Sequence, residues 1–399
     1  MKIVFVNPIG AIGGAENVLL TIFTALLTTQ PNLQLHLIVG TDGSLIEPAE
    51  KLGVKVTVLK LPEEVNRLGD SALKGSSRLY KPISGLILLL KLVKILPSLV
   101  RYLQTFHQLL HKINPDLIHS NGIKTHLLTA FVGVKDKPII WHIHDFYGSR
   151  PLIAKILKLI SFRANLGIAI SGAVAQDAKA TLPGLSIEVI YNTVDINYFS
   201  PSLPTPPCSS LPLRVGLVAT FARWKGQDIF LEAAAQIVKT HPDLNVRFCI
   251  VGGAIYQTRG SQFSELELKT KASKMGITDR VDFLGFQQDI AKIYRCLDIV
   301  VHASTQPEPF GLAIVEAMAC GKPVIVSQAG GAAELFTHNY DAIGVPPSKP
   351  TALAEAIVDL LENAEKRQVI SETARHTIVT RFSHERLGQQ ILAIYSALK

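Results

Sequence analysis

Apolar residues along the chain gather into short continuous runs, with helical stretches between most of them. In the first half the runs are KIVFVN (2–7), LQLHLIV (33–39), VKVTVL (54–59), DLIHS (116–120), PIIWHIH (138–144), LGIAI (166–170) and IEVIY (187–191). In the second half they are LRVGLVA (213–219), VRFCIVG (246–252), VDFLG (281–285), DIVVHA (298–303) and PVIVS (323–327). A run that is apolar without alternation is a strand buried on both faces. Such strands separated by helices form a parallel sheet with helices on either side. The pattern therefore predicts an α/β protein of two doubly wound, Rossmann-like domains. Residues 200–212, SPSLPTPPCSSLP, hold five prolines, a density that neither a helix nor a central strand tolerates. This places domain one at 1–200, a linker at 201–212 and domain two at 213–380. A C-terminal helix at 381–399 is expected to pack back on domain one. Two such domains on one linker are expected to face each other across a cleft. Ligands of these sheets sit at the carboxyl ends of the strands.

Length and composition narrow this picture. The chain has 399 residues, 48% of them hydrophobic and 18% charged, which excludes a disordered chain and supplies large cores. Mean hydropathy is +0.28, high enough to raise the question of a membrane. In the greasiest region the longest uncharged, largely apolar stretch runs only from Pro82 to Leu90, and a spanning helix needs about 20 residues. The apolar stretch after Lys2 is broken at Asn7 and Pro8, so it reads as a buried strand rather than a signal peptide. Cys208, Cys249, Cys296 and Cys320 are far apart in sequence, which argues against a zinc site or a disulfide framework and for a reducing cytosol. Net charge is +8, of which residues 1–200 carry +7. An anionic surface would be met by the first half.

The densest chemistry follows the run 298–303, in STQPEPFGLAIVEAMACGKPVIVSQAGGAAE. Glu308 and Glu316 stand eight positions apart, and Phe310, Gly311 and Leu312 lie between them and open a helix. A helix start exposes unpaired N–H groups suited to a phosphate, and Gly311 lets the backbone come close to a ligand. Glu316, further into the helix, is placed to accept hydrogen bonds from two vicinal hydroxyls. Glu308 precedes the helix and is placed to meet a second polyol. The structural alternative is a surface helix with solvated carboxylates.

This string resembles the E-x7-E signature of retaining, nucleotide-sugar-dependent glycosyltransferases of family 4, which have the two-domain GT-B fold. The resemblance extends over nearly the whole chain, through GGAE (13–16), HIHD (142–145), AISGAV (169–174), YNTVD (191–195), WKGQD (224–228), VDFLGF (281–286) and DIVVHAS (298–304). It implies a hexosyltransferase-type enzyme and a nucleoside diphosphate sugar as donor substrate. It implies no cofactor and no catalytic metal, and no D-x-D motif stands out. It also implies retention of anomeric configuration by front-face substitution. Donor contacts then fall to Gly13, Gly14, Arg223, Lys225, Phe310, Gly311, Leu312 and Glu316. The catalytic assignments are His144, Lys225 and Glu308, with His144 on the donor sugar's hydroxyls and His142 as the alternative. The family's G-R pair is missing, because Ala219 and Thr220 occupy its place. Either Arg223 reaches the diphosphate from a shifted loop or Lys225 acts alone. Arginine binds phosphate in a planar fork that threonine cannot copy. Asn192 and Asp195 match the family's N-x-x-D, or else cap a turn.

The segment 84–112 is basic and greasy, with Lys91, Lys94, Ser98, Arg101 and Gln108 on a narrow polar stripe and Pro97 marking a kink or break. Arg67, Lys74, Arg78 and Lys81 lie upstream. A second basic stretch, 150–163, carries Arg150, Lys155, Lys158 and Arg163. Such helices suit an anionic membrane surface, and the alternative is that 84–112 packs on the sheet. No nucleic-acid motif accompanies these cations. The sequence thus points to a cytoplasmic transferase, peripheral on a membrane, that delivers a sugar to a sugar, glycan or lipid-linked acceptor. A nucleotide-sugar 2-epimerase of the same architecture and a catalytically degenerate, membrane-associated binding protein are the rival readings.

Overall fold

The computed structural model describes residues 1–63, 81–132, 134, 136–201, 212–254 and 260–398, without the side chains of 81–95. Two compact units divide the chain. The first holds Met1–Ile170, Val174–Ile190 and Leu387–Lys399, and the second holds Ser171–Ala173 and Tyr191–Arg386.

The first unit is built on β1 (Lys2–Asn7), α1 (Gly14–Thr29), β2 (Gln34–Val39), α2 (Ile46–Lys51), β3 (Lys55–Val58), α3 (Lys81–Ile113) and β4 (Leu117–Asn121). It continues through α4 (Ile123–Val132), β5 (Ile139–Ile143), α5 (Pro151–Ile160), β6 (Leu166–Ala169), α6 (Gly172–Thr181) and β7 (Ile187–Val189). The seven strands form one parallel sheet in the order β3-β2-β1-β4-β5-β6-β7. Its strands are nearly all buried, as their unbroken apolar runs require.

The second unit holds β8 (Leu213–Val218), α7 (Gln227–Thr240), β9 (Val246–Val251), α8 (Glu265–Lys274), β10 (Val281–Gly285), α9 (Ile290–Cys296) and β11 (Ile299–His302). After these come α10 (Leu312–Ala319), β12 (Val324–Ser327), β13 (Ile343–Val345), α11 (Pro350–Glu362), α12 (Ala364–Arg381) and α13 (His384–Ala397). Its six parallel strands run β10-β9-β8-β11-β12-β13. A single core of Val215, Leu217, Phe230, Phe248, Ile299, Val301, Ile325 and their neighbours packs α7, α8 and α11 against one face of this sheet.

In each sheet the chain reverses its direction of growth beside the first strand, between β1 and β4 and again between β8 and β11. Helices leave on opposite faces at such a point, so the strand ends there are left open to a ligand.

Three expectations are corrected. The boundary between units falls after Ile190, not at the proline-rich segment. Residues 191–201 fold into the second unit because Arg375 donates to the carbonyls of Ile196 and Phe199, each at 2.9 Å. Tyr198 also donates to Asp289 at 3.0 Å. The proline-rich residues 202–211 lie outside the described residues, as does Cys208. Second, domain two extends to Arg386 rather than 380, and the C-terminal segment of the first unit starts at Leu387. There Tyr395 is fully buried, with its hydroxyl 2.6 Å from Nδ1 of His119. Third, of the kink or break expected at Pro97 the break does not occur, since α3 continues from Lys81 to Ile113 with Pro97 inside it. Arg67, Lys74, Arg78 and the side chains of Lys81, Lys91 and Lys94 lie outside the described residues.

Candidate functional site

Two polar clusters occupy the two switch points. In the second unit, β8 ends at Val218 and leads through Ala219 and Thr220 to a short turn, Arg223–Lys225. The adjacent strand β11 ends at His302, and Thr305 binds the Trp224 carbonyl at 2.7 Å, which ties the two loops together. Their polar side chains converge on one atom. Oε2 of Glu308 accepts from Lys225 Nζ at 2.7 Å, from Ser304 Oγ at 3.0 Å and from His302 Nε2 at 3.1 Å. Glu308 is buried, and burial alone would raise its carboxyl. The Lys225 ammonium and the His302 bond outweigh that and hold it well below the usual carboxylate range. Lys225 also lies 4.1 Å over the Trp224 ring, a cation–π contact.

The main chain of Glu308 is clamped as firmly as its side chain. Its N–H donates to Ala329 and its carbonyl accepts from Gly331 at 2.7 Å. Gly330 has φ of 68°, and a Cβ there would lie 2.6 Å from the Glu308 carbonyl oxygen. Only glycine fits, so the Gly330–Gly331 pair exists to seat Glu308. Gly311, at φ of 108°, then turns the chain into α10. From that helix Glu316 accepts a hydrogen bond from the Tyr294 hydroxyl at 3.0 Å. Burial pushes the Glu316 carboxyl up to about 7, so it titrates near neutrality.

Lys225, Glu308 and Gly311 therefore lie in the turns and loops beyond the switch point, with Leu312 opening α10 and Glu316 one turn into it. Two other assigned side chains are engaged elsewhere. The Phe310 side chain is 2% exposed and packs against Tyr191 and Phe382 at ring distances of 6.4 and 6.1 Å. It belongs to the core, and only its backbone remains for a ligand. Arg223, the alternative to Lys225 acting alone, is turned to other partners. It pairs with Glu267 at 2.7 Å, donates to the Gly260 carbonyl and stacks over Phe263 at 4.3 Å. Asp195 caps its own turn, accepting from the backbone of Asn197 and Tyr198, which is the structural alternative for that residue. Glu334, beyond the glycine pair, accepts from the backbone of Gly172 and Ala173 and from the Tyr191 hydroxyl.

In the first unit the switch point joins Asn7, ending β1, to Asn121, ending β4, and to His144, one residue past β5. Asn121 Nδ2 donates to Asn7 Oδ1 at 2.7 Å, and Asn121 Oδ1 lies 2.6 Å from His144 Nε2. Asn7 Nδ2 in turn donates to Glu16 at 3.1 Å and to the Ile9 carbonyl at 2.7 Å. Burial lowers the His144 imidazole to about 4, so it is neutral at pH 7. His142 is fully sealed, bonded through Nδ1 to His119 and stacked on His144 at 4.3 Å, which leaves His144 as the accessible member of the pair.

Gly13 and Gly14 are not where the backbone is crowded. Gly13 is extended at the start of α1, where its N–H donates to Glu16, and a Cβ on Gly14 would meet nothing. The close approach is between Gly10 and the Thr41–Gly43 loop, where a Cβ on Gly10 would lie 2.2 Å from the Thr41 carbonyl. Sequence reasoning missed Asn7, Asn121, Glu16, His302 and Ser304. The signal was present, since each polar residue stands at or just past the carboxyl end of an apolar run or at the first turn of the following helix.

A group of three or more His, Cys, Asp or Glu side chains able to hold a metal is absent among the described residues, and none of the described helices is long and apolar enough to cross a membrane.

Two parallel-sheet units, each with a polar cluster at its switch point, define a two-domain α/β protein of the GT-B type, and comparison with known proteins agrees. The family profile described as "Glycosyl transferases group 1" matches residues 212–377, and "Glycosyltransferase Family 4" matches residues 43–198. The chain belongs to the group 1 glycosyltransferases and has the GT-B fold. The crystal structure of Anabaena HepE in complex with UDP-glucose is similar over 100% of both chains, with 28% identity and a TM-score of 0.79. N-acetyl-alpha-D-glucosaminyl L-malate synthase of Bacillus anthracis is 24% identical over 302 residues, 71% of this chain and 74% of that protein. D-inositol 3-phosphate glycosyltransferase of Corynebacterium urealyticum is 31% identical over 188 residues, 46% of this chain. That alignment spans less than half of the relative, 43% of its length.

Proposed function

We propose that the protein transfers a sugar from a uridine diphosphate sugar, with retention of configuration, to a lipid-linked acceptor at an anionic membrane surface. The observation that carries the donor assignment is the Lys225–Glu308–His302–Ser304 cluster beside the Gly311 turn. It sets a half-buried cation beside the N–H groups of a helix start that no side chain caps, where a diphosphate is best stabilised. Uridine is favoured because HepE, similar over its full length, is described in complex with UDP and with UDP-glucose.

As the sugar–phosphate bond breaks, negative charge develops on the leaving diphosphate. Lys225 and the start of α10 neutralise it, and the leaving phosphate oxygen takes the proton of the acceptor hydroxyl. That hydroxyl attacks from the same face, which gives retention. No protein nucleophile and no metal is assigned to the step. Glu308, held ionised, keeps Lys225 charged and in place, Glu316 accepts from the ribose diol, and His144 meets a sugar hydroxyl.

The membrane assignment rests on α5 and the turn after it. Leu152, Ile156, Leu159 and Phe162 form an exposed apolar stripe, with Leu159 75% and Phe162 78% exposed. Exposed Lys155, Lys158 and Arg163 flank it. Apolar residues at helical spacing with cations beside them suit the headgroup region of an anionic bilayer. A panel of UDP-, GDP- and ADP-sugars screened by thermal shift tests the donor, because a ligand that binds only the native state raises the apparent stability. Stabilisation by UDP-sugars alone is expected, and stabilisation by none would overturn the reading.

A further inference from the structure

The first-unit cluster is directional, and its direction can be followed atom by atom. Both hydrogens of Asn7 Nδ2 are engaged, one by the Ile9 carbonyl at 2.7 Å and one by Glu16 Oε1 at 3.1 Å. The other Glu16 oxygen accepts the Gly13 N–H at 3.1 Å. A carbonyl and a doubly accepting carboxylate have no hydrogen to give, so the Asn7 amide can sit only one way round. Its Oδ1 must then accept, and it does so from Asn121 Nδ2 at 2.7 Å. That orients the second amide, whose Oδ1 accepts in turn and faces His144 Nε2 at 2.6 Å. An acceptor oxygen at that distance requires the proton on Nε2. His144 Nδ1 has no partner among the described residues and, unlike the sealed Nε2 of His142, keeps contact with solvent.

We infer that Glu16 and Asn7, acting through Asn121, are positioning residues that hold His144 as the Nε2–H tautomer, so that Nδ1 is presented as a bare acceptor to a hydroxyl of the sugar substrate. The use of that acceptor rests on the transferase reading above, but the tautomer does not. An imidazole without such a partner exchanges between tautomers, and only the form with a bare Nδ1 can receive the hydroxyl's hydrogen bond. The relay also gives Glu16 a reason to be buried at the start of α1, where a solvated glutamate would cap the helix equally well.

The test is the two-bond proton–nitrogen spectrum of the full-length protein with 15N-histidine, at pH 7 and without ligand. The His144 signals are identified by their loss in His144→Gln. The expected spectrum shows His144 protonated at Nε2 and bare at Nδ1. A spectrum of the Nδ1–H form, or of the imidazolium, would overturn the inference with no need for a variant or a known substrate. Glu16→Gln places an amide NH2 against either Gly13 N–H or Asn7 NH2, so a second His144 tautomer is expected to appear. A single unchanged Nε2–H pattern would remove Glu16 from the relay. Asn121→Asp sets a carboxylate against Nε2, which stabilises the imidazolium and turns Nδ1 into a donor. The fall expected in kcat is about tenfold, the effect of one lost hydrogen bond, with donor KM changed less than about threefold and circular dichroism unchanged. An imidazolium with full kcat would contradict the role given to Nδ1. Failure of the wild type to turn over any donor would sink the transferase reading and leave the tautomer result standing.

Discussion

The two switch-point clusters solve opposite electrostatic problems. In the second unit a cation, a hydroxyl and an imidazole all point at one carboxylate oxygen, and the site is held by charge. In the first unit two amides lie in series between a glutamate and a neutral imidazole, and the site is held by hydrogen-bond direction. A cluster built on charge suits a ligand that is itself charged. A cluster built on direction suits a neutral hydroxyl, which is recognised by donor and acceptor placement. The same sheet topology thus presents different chemistry according to which polar residues end its strands.

The largest break in this comparison should come from Lys225→Ala. It removes the cation proposed for the leaving diphosphate and leaves Glu308 buried without its counter-charge. Loss of one such electrostatic donor costs about 10²–10³-fold in kcat, and stopped-flow or steady-state assays of UDP release would show it. The buried, unpaired Glu308 should also lower stability by about 3–5 kcal/mol, read by chemical denaturation. Lys225→Met should lose the same activity, and a variant that kept wild-type kcat would place the diphosphate elsewhere.

Glu316 gives a sharper and more selective test. Its folded carboxyl titrates at about 7, against an ordinary glutamate value near 4.3 in the unfolded chain. The sign follows from the raised value. The protonated form is the one favoured by the fold, so this contribution is fully present below about pH 4.3 and is lost as pH rises through about 7. Glu316→Gln cannot ionise and should gain in Tm over the wild type between pH 5 and pH 8. The ligand shows the reverse dependence. Two hydroxyls are best accepted by the carboxylate, so UDP-glucose affinity should improve from pH 6 to pH 8 in the wild type and stay flat in Glu316→Gln. Parallel pH profiles in calorimetry would separate Glu316 from the ribose.

Membrane contact should respond more modestly. Replacing Lys155, Lys158 and Arg163 by Gln removes three cations from around the exposed stripe of α5. Each is worth about 1 kcal/mol near an anionic surface, so sedimentation with anionic liposomes should weaken by up to about 3 kcal/mol and show less salt dependence. Equal sedimentation of both proteins would refer the stripe to some other partner. The smallest effect belongs to Arg223→Ala. Its guanidinium is half-exposed and spent on Glu267 and Phe263, so kcat should change by less than about threefold, the scale of an exposed ion pair.

Much of this was legible in the residues. Continuous apolar runs located all but one of the strands, and the exception, Ile343–Val345, is too short to stand out as a run. The eight-position spacing of Glu308 and Glu316, together with the family resemblance of WKGQD, pointed to the charged cluster, because glycine turns and carboxylates at a helix start have local causes. Side-chain direction has no local cause. Phe310 beside Gly311 reads as a ligand contact, and its ring is taken by Phe382, far along the chain. Arg223 reads as a spare cation until α8 supplies Glu267. The unit boundary was misplaced because proline marks where regular structure stops, whereas a boundary depends on which long-range bonds form, here those of Arg375. The directional cluster was least visible, since Asn7 and Asn121 lie far apart in sequence and meet only when β1 pairs with β4.

The central claim is that the charged cluster of the second unit is the diphosphate site, and calorimetric titration of the wild type and Lys225→Ala with uridine and with UDP tests it most directly. The account predicts that the wild type binds UDP at least about a hundredfold more tightly than uridine, the order of two charge-assisted contacts. In Lys225→Ala most of that preference should vanish while uridine affinity stays the same. A variant that binds UDP as tightly as the wild type would contradict it.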